Sequence, residues 1–351
     1  MQKQLSNKKR DLSYEVIRVV AMCLVIIVHE LLDYYIQNLA SRKYMAIEAA
    51  LCVCNALFFL LAGRFAFKMK LDDNDLYKKY YWKKAIKLLI PVFVYSAIKN
   101  WHIMLYHEHL VVTPYSYLRH FLIYLVNGFS AMEYWFLYVL IACLIAAPFF
   151  ARMVQNMSKK DKKAFFVVGM IMSTLATFIP LLGVDFAINY YFVGYVFIFF
   201  LGTMAEDIFE TKKQKHILYF AGCFAEIINI VLRIFAHYDV GYKSTSPLFV
   251  LFSLAVFIFL KNNIKAPKKS EKVILLLGKY SLGVYMIHCM ILYTLRDVTG
   301  LPHGAGLFSI LLASLITLAI SFVLVVIIDS TIVKWLQKLV IKIFKLEKIV
   351  K

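Results

Sequence analysis

The sequence predicts an all-α polytopic membrane protein with about ten transmembrane helices and both termini in the cytoplasm. Three observations carry that prediction. Of 351 residues, 62% are hydrophobic and only 17% are charged, with a mean hydropathy of +0.72; a soluble domain carries roughly 25% charged residues. The apolar residues gather into runs close to the ~20 residues a helix needs to cross the hydrocarbon core. The excess of 40 Lys and Arg over 21 Asp and Glu, a net charge of +19, lies mostly between alternate runs. A soluble globule, a disordered chain and a disulfide scaffold do not fit these values. A nucleic-acid binder would explain the charge but not the hydropathy.

Ten apolar runs read as spans. They are Tyr14–Tyr34, Met45–Phe67, Ala85–Leu105, Tyr134–Met153 and Ala164–Leu182, then Asn189–Met204, Ile217–Ala236, Ser246–Leu260, Val273–Leu295 and Leu307–Val333. The sixth and eighth are short. Tyr117–Phe129 is about half the needed length and reads as a re-entrant or interfacial helix. Thirty of the forty cations fall in the N-terminal tail, the C-terminal tail and every second connection, against five in the other connections. That alternation places both tails inside by the positive-inside rule and supports the count of ten.

The whole chain, 1–351, reads as one membrane domain: a cytosolic tail over 1–13, a helical bundle over 14–335 and a basic cytosolic tail over 336–351. The first apolar run lacks a small-residue cleavage site and is long enough to remain as a span. All six cysteines lie within spans, so neither disulfides nor a metal site is expected. His102 at the end of span three, with His107, Glu108 and His109 beyond it, has a conceivable metal spacing but reads as a solvated loop, since no second ligand set accompanies it.

Ionisable residues inside spans are functional candidates because the bilayer makes them costly. Span one holds Arg18 and, eleven residues on, His29. Eleven steps of about 100° bring both to one helix face, about 16.5 Å apart along the axis. Asp33, at i+4 from His29, shares that face and is positioned to orient or pair with the ring. The competing reading has Arg18 reaching lipid phosphate and His29 packed as a satisfied interior residue. On span seven, Glu226 and Arg233 are seven apart and read as an ion pair. Asp329, near the end of span ten, reads as a partner for a basic residue.

An Arg, ten residues, then a His in the first span resembles the signature of the acyltransferase-3 family of integral membrane acyltransferases. Further segments agree in order: NALFFLLAG (Asn55–Gly63), YYWKKAIKLLIP (Tyr80–Pro91), EYWFLYVLIACLIAAP (Glu133–Pro148), YYFVGYVFIFFLG (Tyr190–Gly202) and SLGVYMIH (Ser281–His288). The resemblance runs from Arg18 to about His288. It departs from the family at Ala62, which stands where Ser is usual, at Arg64, where an aromatic is usual, and at Lys83, Lys84 and Lys87, where Arg is more typical. Lys cannot offer phosphate the bidentate fork that Arg does.

The resemblance implies transfer of an acyl group, most commonly acetyl, from cytosolic acyl-coenzyme A (acyl-CoA) to a hydroxyl of an extracytoplasmic glycan or lipid-linked glycan. It implies a bacterial plasma membrane, with membrane lipids as surroundings and no nucleic acid or metal. Arg18, Lys83, Lys84 and Lys87 would grip the phosphates of the donor. His29, with Arg18 and Asp33, would form the catalytic set, His29 serving as general base or as the carrier of an acyl-histidine. Trp135 and His288 would line the acceptor side, against the plainer readings of an interfacial aromatic and a structural hydrogen bond. The rival function is a transporter or flippase of a glycan or its precursor. A third class, a membrane sensor or scaffold, would be indifferent to replacement of His29.

Overall fold

The computed structural model describes residues 11–37, 42–126, 132–184, 194–236, 246–264, 267–300 and 306–350, and these are helical apart from short turns. The expected tail up to residue 10 and the start of the sixth expected span, from Asn189, lie outside the described residues. Eleven helices matter for the site. They are α1 (Leu12–Gln37), α2 (Arg42–Ala66), α3 (Leu76–Tyr106), α4 (Pro114–Val126), α5 (Trp135–Asn156) and α6 (Lys159–Phe178), then α7 (Tyr195–Ile208), α8 (Lys212–Ala236), α9 (Pro247–Asn263), α10 (Glu271–Thr299) and α11 (Leu307–Ile343). Each expected span coincides with one of them. Among the described residues, α2, α3, α5, α8, α10 and α11 contain stretches long and apolar enough to cross a membrane. The helix at the expected eighth span, α9, is shorter at 17 residues. Tyr117–Phe129 falls largely on α4, whose 13 residues keep it well short of a crossing.

The bundle is arranged around α1, which packs against α2, α9, α10 and α11. α2 and α7 approach backbone to backbone at Gly63 and Gly202. A Cβ at either position would run into a main-chain carbonyl of the other helix, Phe199 or Leu60. Small residues permit such contact where lipid supplies no hydrophobic drive between helices. Arg64 is explained at the same junction. Its Nε donates to the Tyr14 hydroxyl (2.7 Å) and its guanidinium pairs with Glu206 (2.6 Å), while Tyr14 donates to the same carboxylate (2.6 Å). One cation thus ties α1, α2 and α7 together.

Pro148 lies inside α5 and cannot donate to the Leu144 carbonyl one turn earlier. The Tyr80 hydroxyl of α3 supplies the missing donor at 2.8 Å, and Tyr81 donates to the neighbouring Ile145 carbonyl at 2.8 Å. Two sequence segments, Tyr80–Pro91 and Glu133–Pro148, are therefore halves of one structural device.

Two expectations are corrected here. Arg233 pairs with Glu48 of α2, both buried, rather than with Glu226; Glu226 instead accepts from Asn229 at 3.1 Å. A helix seven residues on brings two side chains to one face, but a neighbouring helix offers a nearer carboxylate. His102 is not part of a solvated loop. It is buried on α3, bonded to Thr294 of α10 at 3.1 Å and stacked on Tyr106, while Glu108 pairs with His120 at 3.1 Å. Asp329 does find a partner, but it is the Tyr95 hydroxyl (2.6 Å) rather than a hydrogen-bonded cation.

Candidate active site

The long helices α1 and α10 bring His29 and His288 together from 259 positions apart, with ring centroids 4.9 Å from each other. His288 is fully buried and His29 partly so. Each ring is anchored by its own helix. His29 Nδ1 lies 2.8 Å from the Val25 carbonyl, and His288 Nδ1 lies 2.6 Å from the Tyr285 carbonyl. A carbonyl oxygen only accepts, so in the neutral rings the proton sits on Nδ1 in both cases. The His288 Nε2 lone pair then faces the His29 Nδ1–H at 3.2 Å and the Cys289 thiol at 3.3 Å. By elimination, Nε2 of His29 carries an unprotonated lone pair. This is the side of the ring that can take a proton from a substrate.

A buried ion pair flanks the histidines. Lys99 of α3 pairs with Glu133, just before α5, with both side chains almost wholly covered. Lys99 also lies over the Tyr134 ring, 5.5 Å from its centre. Tyr285 donates to the Glu133 main-chain carbonyl, and Tyr134 donates to the Met286 carbonyl at 2.6 Å. These bonds lock the start of α5 onto α10 beside His288. Both Glu133 and Lys99 act electrostatically on both imidazoles. Bringing a charge into this interior demands such pairing.

A cleft of about 290 Å³ opens beside this cluster. Arg18 and Lys84 supply its charge, Phe58 and Phe136 its apolar wall, and Ser281 and Tyr285 its polar edge. Tyr285 is the link between the two, since its ring lies 5.7 Å from that of His288. Arg18 is held by Glu15 at 2.6 Å. The cleft therefore has a cationic end at Arg18 and Lys84, and the Tyr285 ring on its wall stands between it and the histidine pair, neither member of which lines it.

The other expected site residues fall as follows. Lys83 is exposed and does not line the cleft, whereas Lys87 lines a second cleft that shares only Leu282 with the first. Asp33 lies on α1, and its side chain is outside the described residues. Trp135 is 39% exposed and packs against Phe136 and Tyr195, with only Phe136 reaching the cleft. His288, expected on an acceptor surface, stands against His29 instead. Cys289, expected from the sequence to join neither a disulfide nor a metal site, lies with the two histidines; their three potential metal-ligand atoms lie within 4.8 Å of one another. Glu133 and Lys99 escaped sequence reasoning as site residues. Both were visible as charges at or within expected spans, and their cost there was the usable signal.

These features define a polytopic membrane protein with a buried, hydrogen-bonded histidine pair served by a cationic cleft. The chain matches the acyltransferase domain family over residues 11–326 and belongs to the acyltransferase-3 family. It is also similar to "Putative acetyltransferase ORF330" of Acidianus two-tailed virus, with 23% identity over 252 residues, 71% of this chain and 75% of that protein. No solved structure matches the chain.

Proposed function

We propose that this acyltransferase moves an acetyl group from acetyl-CoA at the lysine-rich face to a hydroxyl of a cell-surface or lipid-linked glycan on the other side of a bacterial plasma membrane. The observation that carries the reading is the Arg18–Lys84 cleft whose wall residue Tyr285 packs, ring centres 5.7 Å apart, against His288 of the His29–His288 pair. Phosphates of the donor would meet Arg18 and Lys84 through charge-assisted hydrogen bonds. The acyl-bearing arm would follow the apolar wall of Phe58 and Phe136 towards Tyr285.

His29 Nε2 accepts the proton of the acceptor hydroxyl as the oxygen attacks the thioester carbonyl. Collapse of the tetrahedral adduct breaks the carbon–sulfur bond, and the departing sulfur takes the same proton back from His29. The ester and free thiol form with no net proton released. Positive charge on His29 during this cycle is shared through Nδ1–H with His288 Nε2 and is offset by the nearby Glu133 carboxylate. Lys99 keeps Glu133 paired while His29 is neutral.

The test compares ester content of purified surface glycans from cells carrying the intact gene, a deletion and His29→Ala. Loss of one ester in both altered strains is expected, with the variant still inserted in the membrane. Unchanged ester content in the His29→Ala strain contradicts the assignment.

A further inference from the structure

The second cleft, about 540 Å³, lies between α3, α10 and α11 and shares only Leu282 with the Arg18–Lys84 cleft. Two rare backbone features meet there. α3 widens to a π-helical segment at Ala85–Leu89 and α11 does the same at Asp329–Val333. Such bulges loosen the main-chain bonding of a helix and concentrate at functional positions. Here the Gln337 side chain, one turn beyond the α11 bulge, donates to the Ile86 carbonyl in the α3 bulge at 2.8 Å and fastens the two helices across the cleft. Gly283 of α10 forms part of its floor, because a Cβ there would strike the Tyr95 hydroxyl and Val325.

The lining is cationic, with Lys87, Lys279 and Lys334 against the single carboxylate Asp329. Lys279 donates to the Tyr280 hydroxyl at 3.1 Å. Lys87 and Lys334 form no ion pair among the described residues. All three lysines are exposed at the rim, where their like charges favour an anion over a cation in the cleft. Asp329 has one oxygen on Tyr95, and its second oxygen, with Ser330, suits a hydroxyl on the same ligand. We propose that this cleft binds a phosphate ester that carries a neighbouring hydroxyl. The glycerol phosphate head of an anionic lipid and a ribose phosphate of a nucleotide both meet that description. In its nucleotide arm the inference rests on the acyl-transfer reading, because adenosine 3′,5′-bisphosphate is the nucleotide of coenzyme A and Lys87 is expected to grip that donor; in its lipid arm it does not.

The full-length protein in nanodiscs separates the two sources. One arm measures retention of phosphatidylglycerol against phosphatidylcholine by native mass spectrometry. The other measures binding of adenosine 3′,5′-bisphosphate by calorimetry at low salt. Both use the wild type, Lys334→Gln and the Lys87→Gln/Lys334→Gln pair, with thermal unfolding as the folding check. Losing one charged hydrogen bond should weaken the bound probe by roughly tenfold, and losing two by more. Lys334→Arg should restore most of the binding. Selective loss of phosphatidylglycerol identifies the lipid as ligand, and selective loss of the bisphosphate identifies the nucleotide. If neither probe distinguishes wild type from the double variant, the proposal is wrong.

Discussion

Two polar clusters are buried in this bundle, and they are built on opposite principles. Glu48 and Arg233 join α2 to α8 as a covered ion pair, with Glu226 and Asn229 bonded to each other nearby. His29 and His288 join α1 to α10 through neutral-ring hydrogen bonds and lie beside a cleft. The first cluster holds opposite charges against each other between two helices. The second keeps a lone pair in hand and can exchange a proton. A charge in a membrane span therefore marks function only when something beside it can reach it.

Breaking the structural cluster should give the largest effect. Glu48→Gln removes the carboxylate paired with the buried Arg233 guanidinium and should cost about 3–5 kcal/mol of stability, read by thermal unfolding in detergent. Replacing both, as Glu48→Leu with Arg233→Met, should recover much of that loss. Acetyl transfer per folded molecule should stay near the wild-type value in the double variant. If transfer falls while stability holds, the contrast between the clusters fails.

His288→Gln comes next. It removes the Nε2 lone pair that shares His29 Nδ1–H with the Val25 carbonyl, so turnover should fall about 100-fold with the donor KM little changed. A shift in KM alone would return His288 to the substrate-contact role expected from the sequence. Lys84→Gln should do the converse, raising the donor KM about tenfold through loss of one charged hydrogen bond. A KM that ignores Lys84 would detach the cleft from the donor.

The smallest effect lies at the start of α6. Ser158 and Asp161 bond reciprocally to each other's backbone N–H, and the bonds from Ser158 hold the Asp161 carboxyl below its ordinary value. A depressed carboxyl contributes stability above the usual carboxylate range and loses it as pH falls through the lowered value. Ser158→Ala should lower Tm slightly at pH 7, and the gap should close as the medium is acidified towards pH 3. A gap that widens in acid would mean that this cap acts in some other way.

Much of this was legible before any coordinates. Periodic hydrophobicity located the helices because a bilayer leaves few alternatives for a long apolar run. Arg18 and His29 share a helix, so 3.6-residue geometry placed both on one face. Lys84 and Lys83 show where that reasoning stops: adjacent residues point about 100° apart, and only packing against α5 and α10 decides which one enters the cleft. The meeting of His29 with His288, and of Lys99 with Glu133, depends on contacts between distant segments. Periodicity within one helix cannot supply those. The Glu226–Arg233 expectation failed for the same reason, because the carboxylate that matters comes from another helix.

Measuring donor binding and transfer in one preparation tests the central claim most directly. Purified wild type and His29→Ala in proteoliposomes would be given radiolabelled acetyl-CoA and a glycan acceptor. His29→Ala should bind the donor with wild-type affinity and transfer no detectable label. Wild-type transfer by the variant, or loss of donor binding together with activity, would contradict His29 as the group that handles the acceptor proton.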